Sequence, residues 1–147
     1  RTPRRDEDVL ADLAGRADLV LIDAPCSGTG TWRRNPDAKW RMRPGALELR
    51  LKDQAEVLDR AAAMVKPGGR IAYITCSVLP AENGEQVRAF MARHPEFSIV
   101  APEETASVLW DKAEDFAAAA LRSEEGWLLT PRRTGTDGFF VAVLRKA

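Results

Sequence analysis

Two cysteines lie in short segments that contain proline, glycine or serine. Cys26 lies in the run Ala-Pro-Cys-Ser-Gly, and Cys76 lies in the run Thr-Cys-Ser. Such surroundings are typical of loops, where functional side chains are often found. Because the thiolate is a strong nucleophile, two loop cysteines in a protein of the cytosolic type favour thiol catalysis over a structural disulfide.

Each cysteine follows an apolar segment that is typical of a β-strand. Residues 18–23 read Asp-Leu-Val-Leu-Ile-Asp, and the apolar side chains on both faces predict a buried parallel strand. Residues 70–75 predict a second strand. Ligands bind at the carboxyl ends of the strands in open α/β sheets. If the two strands are neighbours, Asp23 and both thiols converge on one pocket.

The remaining pattern predicts alternating helices and strands. Apolar residues recur every three or four positions in residues 46–65, which predicts a helix that Pro-Gly-Gly at 67–69 stops. The other predicted elements are helices at 6–13, 83–93 and 111–121 and strands at 97–100 and 138–144. This alternation indicates an α/β sheet with right-handed crossovers, in one compact domain or part of one.

The composition is that of a folded protein with an uneven charge distribution. Of the 147 residues, 45% are hydrophobic and 30% are charged, which is typical of a globular protein. The sequence has neither an apolar run long enough to span a bilayer nor a signal-peptide core, which favours a cytoplasmic location. The net charge is zero, yet residues 33–43 hold five basic residues and one aspartate. That stretch is either a phosphate-binding face or a set of solvated surface side chains.

Other interpretations of the cysteines stay open at this point. Each could be a small buried hydrophobic residue, although this explains poorly why both follow predicted strands. A zinc site is disfavoured because two cysteines and the single histidine, His94, do not complete a zinc coordination shell. An unrelated thiol hydrolase using Cys76 would need His94 as its base.

The cysteine segments belong to a series of four ordered motifs. These are Asp-Ala-Pro-Cys-Ser-Gly-Thr-Gly at 23–30, Arg-Arg-Asn-Pro-Asp-Ala-Lys-Trp at 33–40, Lys-Pro-Gly-Gly at 66–69 followed by Thr-Cys-Ser at 75–77, and Gly-Thr-Asp-Gly-Phe-Phe at 135–140. The series resembles the Sun (Fmu) family of RNA cytosine-5 methyltransferases, from about residue 6 to residue 146. A single Pro-Cys pair would be weak support, whereas four motifs in order are specific.

The resemblance implies an α/β fold, the C-terminal half of a Rossmann-like class I methyltransferase domain with a mostly parallel sheet and a late antiparallel strand. It implies methyl transfer from S-adenosyl-L-methionine to carbon 5 of cytosine in RNA, with ribosomal RNA as the first candidate and transfer RNA as the second. The family's glycine-rich cofactor motif is expected upstream of Arg1, so residues 1–147 would be the C-terminal part of the catalytic domain. Alone, this part is expected to bind the cofactor weakly and to be inactive. The alternative is a non-catalytic RNA-binding fragment or degenerate homologue.

The resemblance also assigns roles to residues. Carbon 5 of cytosine becomes nucleophilic once a thiolate adds to carbon 6, and Cys76 is implied to supply that thiolate. Cys26 is implied to act in product release and Asp23 to hold the cytosine edge, while Asp23 and Pro25 border the cofactor. The sulfonium cation of the cofactor and nearby basic residues are expected to lower the pKa of Cys76. The RNA phosphates would be held by Arg33, Arg34, Lys39 and Arg41, and Trp32 or Trp40 would stack on a base or simply pack.

The strand at residues 18–23 is also expected to form an open sheet edge. In the family's sheet it pairs on one side with the strand that ends at Thr75, and on the other side with a strand that this sequence does not contain. Residues 19–22 carry neither charge nor proline. An unprotected apolar edge of this kind favours self-association.

Overall fold

A computed structural model describes residues 11–147 of the chain, with side-chain burial from residue 12 onward. The predicted helix at 6–13 lies largely outside the described residues, which begin with a 3-10 turn at Ala11–Leu13. The strands are β1 (Ala17–Asp23), β2 (Val65–Thr75), β3 (Phe97–Ile99), β4 (Leu121–Arg122), β5 (Trp127–Leu129) and β6 (Phe139–Lys146). The helices are α1 (Ala38–Arg41), α2 (Ala46–Met64), α3 (Gly84–Arg93), α4 (Pro102–Ser107), α5 (Ala113–Ala119) and α6 (Pro131–Thr134).

The six strands form one mixed sheet in the order β1-β2-β6-β5-β4, and β3 pairs with β6. The predicted α/β fold and its late antiparallel strand, β6, are confirmed. The expected parallel character is limited, because β1 and β2 form the parallel pair and the other pairings in the described residues are antiparallel. The reason is that β6 runs antiparallel to β2 and also pairs with β3 and β5, so every pairing that involves β6 is antiparallel.

One apolar core lies between the sheet and the helices α2 and α3. Its fully buried side chains come from both layers and include Leu58, Ile71, Tyr73, Val87, Phe90 and Leu144. Burying each large apolar side chain of this kind contributes about 1.5–3 kcal/mol. Helices α2 and α3 place the apolar residues that recur at helical spacing in this core. The core in turn holds α2 against the parallel strands β1 and β2.

The run Lys66-Pro67-Gly68-Gly69 lies inside β2. Helix α2 ends at Met64, as expected, but the strand begins at Val65. The pairing with β1 jumps from Ala17↔Val65 to Leu19↔Arg70, so the run forms an irregularity in the ladder. Gly68 has a φ of 77°, a left-handed conformation that favours glycine. From Arg70 onward the register is regular up to the end of both strands.

Strand β1 is buried on one face only. Ile22 is 8% exposed, whereas Leu19 and Leu21 are 56% and 63% exposed. The expectation of a strand buried on both faces is therefore wrong for the described residues, because α2 covers one face and the other face of β1 is open to solvent. In the part of the chain that is described, β1 pairs with β2 alone and forms one end of the sheet.

Candidate active site

The parallel pairing of β1 and β2 brings the two cysteine loops together. Asp23 lies opposite Ile74, and the next backbone hydrogen bond, from Ala24 N–H to the Ile74 carbonyl, spans 2.8 Å. Beyond it, the Gly30 N–H donates to the Cys76 carbonyl at 3.0 Å. The sulfur atoms of Cys26 and Cys76 are 3.3 Å apart, and both are partly buried. The sequence expectation that two strand-end thiols share one rim thus has a direct structural counterpart.

The loop after Cys26 also contacts the beginning of β6. A Cβ atom placed on Gly30 would lie 2.1 Å from the Gly138 carbonyl oxygen, so glycine is required by space at this position. The Gly138 N–H in turn donates to the Gly30 carbonyl at 2.8 Å. The closing motif at 135–140 therefore supports the loop that carries Cys26 through backbone contact.

A buried polar network that the sequence did not reveal lies below the thiols. Glu82 is fully buried and its carboxylate accepts hydrogen bonds from the Ser27 N–H at 2.7 Å, from the Ser27 hydroxyl, and from Gln54 Nε2 at 3.1 Å. Its neighbour Asn83 donates to the Ser77 carbonyl at 2.9 Å and accepts from the Thr75 hydroxyl at 2.6 Å. The sequence does show Glu82 and Asn83 together just before an amphipathic helix. It does not show their function, because the residues that Glu82 contacts are distant in sequence.

The hydrogen bond between the two thiols controls their ionisation. It lowers the pKa of Cys26 to about 7, because a Cys76 S–H stabilises the Cys26 thiolate against the opposing effect of burial. The same hydrogen bond, followed by burial, raises the pKa of Cys76. The expected lowering of the Cys76 pKa by a sulfonium cation and nearby basic residues stays a prediction, because it depends in part on bound cofactor. The pair loses one proton near neutral pH and retains the second.

The residues expected to border the cofactor lie at the end of β1. Asp23 is exposed there, and its carboxylate can accept hydrogen bonds from a ligand. The Pro25 carbonyl already accepts a hydrogen bond from Gln54 Nε2 at 3.0 Å. A cleft of about 230 Å³ opens beside Cys26. It is smaller than the roughly 300–1,000 Å³ of cavities that enclose a ligand. Asp23 and Pro25 are not among the residues that line this cleft, and they fit one edge of a cofactor site.

The four predicted phosphate-binding residues differ in their position and in their partners. Arg41 lines the cleft and forms an ion pair with Asp37, and Lys39 lies 4.7 Å from the ring centre of Trp40.

Arg34 forms an ion pair with Asp137 at 2.7 Å, yet 64% of its side chain stays exposed. Arg33 donates to the Gly135 carbonyl at 3.4 Å. A further lining residue is Arg50, which the sequence did not single out.

The two tryptophans of this region have different environments. The Trp40 side chain is 80% exposed, so its ring is available for stacking. The ring nitrogen of Trp32 is buried and has no partner among the described residues. The packing interpretation therefore fits Trp32, and the stacking interpretation fits Trp40.

His94 lies outside the cysteine site. Its ring contacts Asp59 at 2.9 Å and Glu96 at 3.3 Å and stacks on Phe90. None of these residues lines the cleft at Cys26. Without a histidine base beside the thiols, the hydrolase interpretation loses its support. Within residues 11–147 there is also no group of three or more potential metal ligands, and no helix there is long and apolar enough to cross a membrane.

The mixed sheet, with thiol-bearing loops at the ends of a parallel strand pair, places the chain in the class of methyltransferase-type α/β folds. The crystal structure of PH0851 matches it with a TM-score of 0.72 and 36% identity, over 90% of this chain and 27% of that one. NSun6 from Pyrococcus horikoshii with SFG has the same fold, with a TM-score of 0.60 and 24% identity over 86% of this chain and 29% of its own.

Sequence comparison defines the family. A family model described as 16S rRNA methyltransferase RsmB/F matches residues 4–145, and the chain therefore belongs to the RsmB/F family. Ribosomal RNA small subunit methyltransferase B of Shewanella oneidensis is 39% identical over 130 residues, which cover 88% of this chain. The chain spans about a quarter of the length of that relative, 27%.

Replacing Cys76 with alanine should raise the pKa of Cys26. The variant lacks the S–H donor, so the pKa should move from about 7 to the ordinary thiol value of about 8.5 or above. Alkylation at a series of pH values, read for Cys26 by peptide mass spectrometry, measures the shift.

The reciprocal variant provides the control. In Cys26→Ala, the pKa of Cys76 should fall, because the hydrogen bond that raises it is gone. An unchanged alkylation midpoint for the remaining cysteine in both variants would show that the two thiols do not share a proton.

Proposed function

We propose that this chain forms the C-terminal part of the catalytic domain of an S-adenosylmethionine-dependent methyltransferase acting on carbon 5 of cytosine in RNA. Ribosomal RNA is the proposed substrate because the family and its relatives carry that description, and transfer RNA ranks second. The observation that supports a cysteine mechanism most strongly is the 3.3 Å contact between the sulfur atoms of Cys26 and Cys76. A structural pair of buried cysteines would not need to share a proton beside an open cleft.

The first chemical step is proposed to be addition of the Cys76 thiolate to carbon 6 of cytosine. At neutral pH the pair carries one negative charge, and transfer of the Cys76 proton to Cys26 across the hydrogen bond generates the attacking thiolate. The new bond joins sulfur to carbon 6 and makes carbon 5 nucleophilic. S-adenosylmethionine, when bound, supplies the electrophilic methyl group. Asp23, exposed at the end of β1, is proposed to hydrogen-bond the cytosine edge and to stabilise its protonated ring nitrogen.

The second step is release of the product. Cys26 lines the open cleft, so it can return its proton to water and then accept the proton at carbon 5, directly or through a relayed base. Elimination breaks the bond between carbon 6 and the Cys76 sulfur and restores the Cys76 thiolate. The lowered pKa of Cys26 supports this role, because a group that titrates near neutral pH serves both as acid and as base.

The cofactor is proposed to contact Asp23 and Pro25, which supply one edge of its site. Because this sequence does not contain the family's glycine-rich cofactor motif, the isolated chain is proposed to bind S-adenosylmethionine weakly and to be inactive alone. Calorimetry on the 147-residue chain would contradict this proposal if it gave micromolar affinity.

The RNA backbone is proposed to lie along the basic stretch beside the cleft. Arg41 lines the cleft, Lys39 lies two residues before it, and Arg33 and Arg34 contact the closing motif at Gly135 and Asp137. Such cations position RNA without reading its sequence. The exposed Trp40 is proposed to stack on an unpaired base, which fits a site that needs its target cytosine out of the helix.

The division of roles between the thiols can be tested in the full-length enzyme that this proposal implies. Cys76→Ala should abolish methylation because no adduct forms. Cys26→Ala should form the adduct and fail to release it, so a denaturing gel with labelled RNA should show a covalent complex for this variant. A complex trapped in Cys76→Ala instead would reverse the assignment.

The RNA path can be tested by salt dependence. Arg41→Ala should weaken RNA binding and reduce the slope of log affinity against log salt by roughly one per lost phosphate contact. Arg93→Ala is the matched control, because Arg93 is paired to Asp59 away from the cleft. Equal slopes for wild type and Arg41→Ala would mean that Arg41 is a solvated surface residue.

Self-association is proposed to occur through the open edge at β1. Leu19→Lys and Leu21→Lys add charge to that edge and should shift light scattering toward the monomer. Leu49→Lys, at an exposed site on α2 (65% exposed), should have no such effect. A wild-type chain that stays monomeric at high concentration would contradict the proposal.

A further inference from the structure

Glu82 is a buried carboxylate whose environment is unusual. It has no exposed surface, and no ion pair to Glu82 is formed within the described residues. Its hydrogen-bond donors are neutral: the backbone and hydroxyl of Ser27 and the amide of Gln54. A buried charge without a cationic partner costs stability unless hydrogen bonds compensate. Such a residue is better explained by what it holds in place than by its contribution to stability.

What Glu82 holds is the loop of the first thiol. The Ser27 N–H immediately follows Cys26, and both it and the Ser27 hydroxyl point to the two oxygens of the same carboxylate. Gln54 Nε2 also reaches the Pro25 carbonyl, on the other side of Cys26, at 3.0 Å. The backbone on both sides of Cys26 is therefore connected, directly or through Gln54, to Glu82.

Asn83 holds the loop of the second thiol in the same manner. Its amide group donates to the Ser77 carbonyl and its oxygen accepts from Thr75, so the residues on both sides of Cys76 are bound. The Glu82 backbone carbonyl is itself fixed by the buried Tyr73 hydroxyl at 2.7 Å. Two adjacent residues thus connect both cysteine loops to one rigid point of the core.

We propose that Glu82 and Asn83 are positioning residues that keep Cys26 within hydrogen-bond distance of Cys76. Their part in catalysis rests on the proposed function of the thiol pair. A thiol hydrogen bond depends steeply on distance and angle, so release of either loop would separate the sulfur atoms. Glu82 acts through Ser27 and does not itself touch the reacting atoms.

The groups that face Cys26 determine which readout is informative. They are Cys76 at the end of β2, Glu82 and Tyr73 below the loop, and Arg41 and Arg50 across the cleft. The Cys76 hydrogen bond is the largest influence and lowers the pKa of Cys26, whereas the charge of Glu82 is the smallest and raises it. Losing the position and losing the charge therefore shift this pKa in opposite directions.

The test measures alkylation of each cysteine against pH in the 147-residue chain. Glu82→Ala removes the acceptor, so the Cys26 midpoint should rise by roughly one pH unit toward that of a free thiol. Glu82→Gln keeps an oxygen for the Ser27 N–H and removes the charge, so its midpoint should stay at or below the wild-type value. Glu85→Ala, an exposed carboxylate in the same segment, is the matched control and should change nothing.

Each outcome decides the proposal. If Glu82→Ala is folded, as cooperative unfolding would show, and keeps the wild-type alkylation midpoint of Cys26, the proposal is overturned. It is also overturned if the alkylation midpoint in Glu82→Gln rises as it does in Glu82→Ala. Should Glu82→Ala fail to fold, Glu82→Asp replaces it. This variant keeps the charge but withdraws it by one methylene, so the Cys26 midpoint should again rise, and an unchanged midpoint overturns the proposal.

A second readout separates this inference from the proposed function. The alkylation profile needs neither RNA nor cofactor, so it tests the position of Cys26 alone. In the full-length enzyme, Glu82→Ala should also slow release of the RNA adduct, because the displaced Cys26 no longer reaches carbon 5. A shifted alkylation profile with normal release would leave the positioning role intact and refute the role of Cys26 in release.

Discussion

The parallel pairing of β1 with β2 is the constraint on which the site depends. From Leu19↔Arg70 to Asp23↔Ile74 the register is unbroken, so both strands end at the same level of the sheet. An antiparallel pair would place the two carboxyl ends at opposite edges. The parallel arrangement requires a crossover, which the 19-residue helix α2 provides, and the fully buried Leu58 fixes that helix on the sheet. The contact between the two thiols is therefore a consequence of the core.

The polar layer beneath the thiols connects the two cysteine loops to each other by hydrogen bonds. Apolar packing ends at about Tyr73, and hydrogen bonds replace it toward the cleft. Glu82 and Asn83 pair with groups on both cysteine loops, while the Thr29 and Ser77 hydroxyls contact each other at 3.0 Å. Because buried polar groups are costly without partners, this network favours one arrangement of the loops over many. The shared proton of the thiols then depends on a geometry that the network maintains.

Much of this arrangement could be predicted from the sequence, for identifiable reasons. Helices α2 and α3 have clear helical periodicity, and β1 and the regular part of β2 follow from apolar runs that end at turn residues. Because parallel strands end at the same edge of a sheet, the sequence also predicted that both thiols lie at one edge. The rest depends on distant contacts: Ser27 meets Glu82 across 55 residues, and Arg34 meets Asp137 across 103. Strands β4 and β5 have two and three residues, too few to show a period. The one-sided burial of β1 was hidden because its apolar run is the same on both faces.

The central claim is that Cys26 and Cys76 are in direct contact in the folded chain, and disulfide formation tests it most directly. One equivalent of a symmetric aromatic disulfide is added to the folded protein. Attack by one thiolate forms a mixed disulfide and releases one aromatic thiol, and the neighbouring cysteine then displaces the second. The contact predicts release of two aromatic thiols per chain and a protein lighter by the mass of two hydrogen atoms. A stable mixed disulfide on either cysteine, with the other thiol still free, would contradict the account.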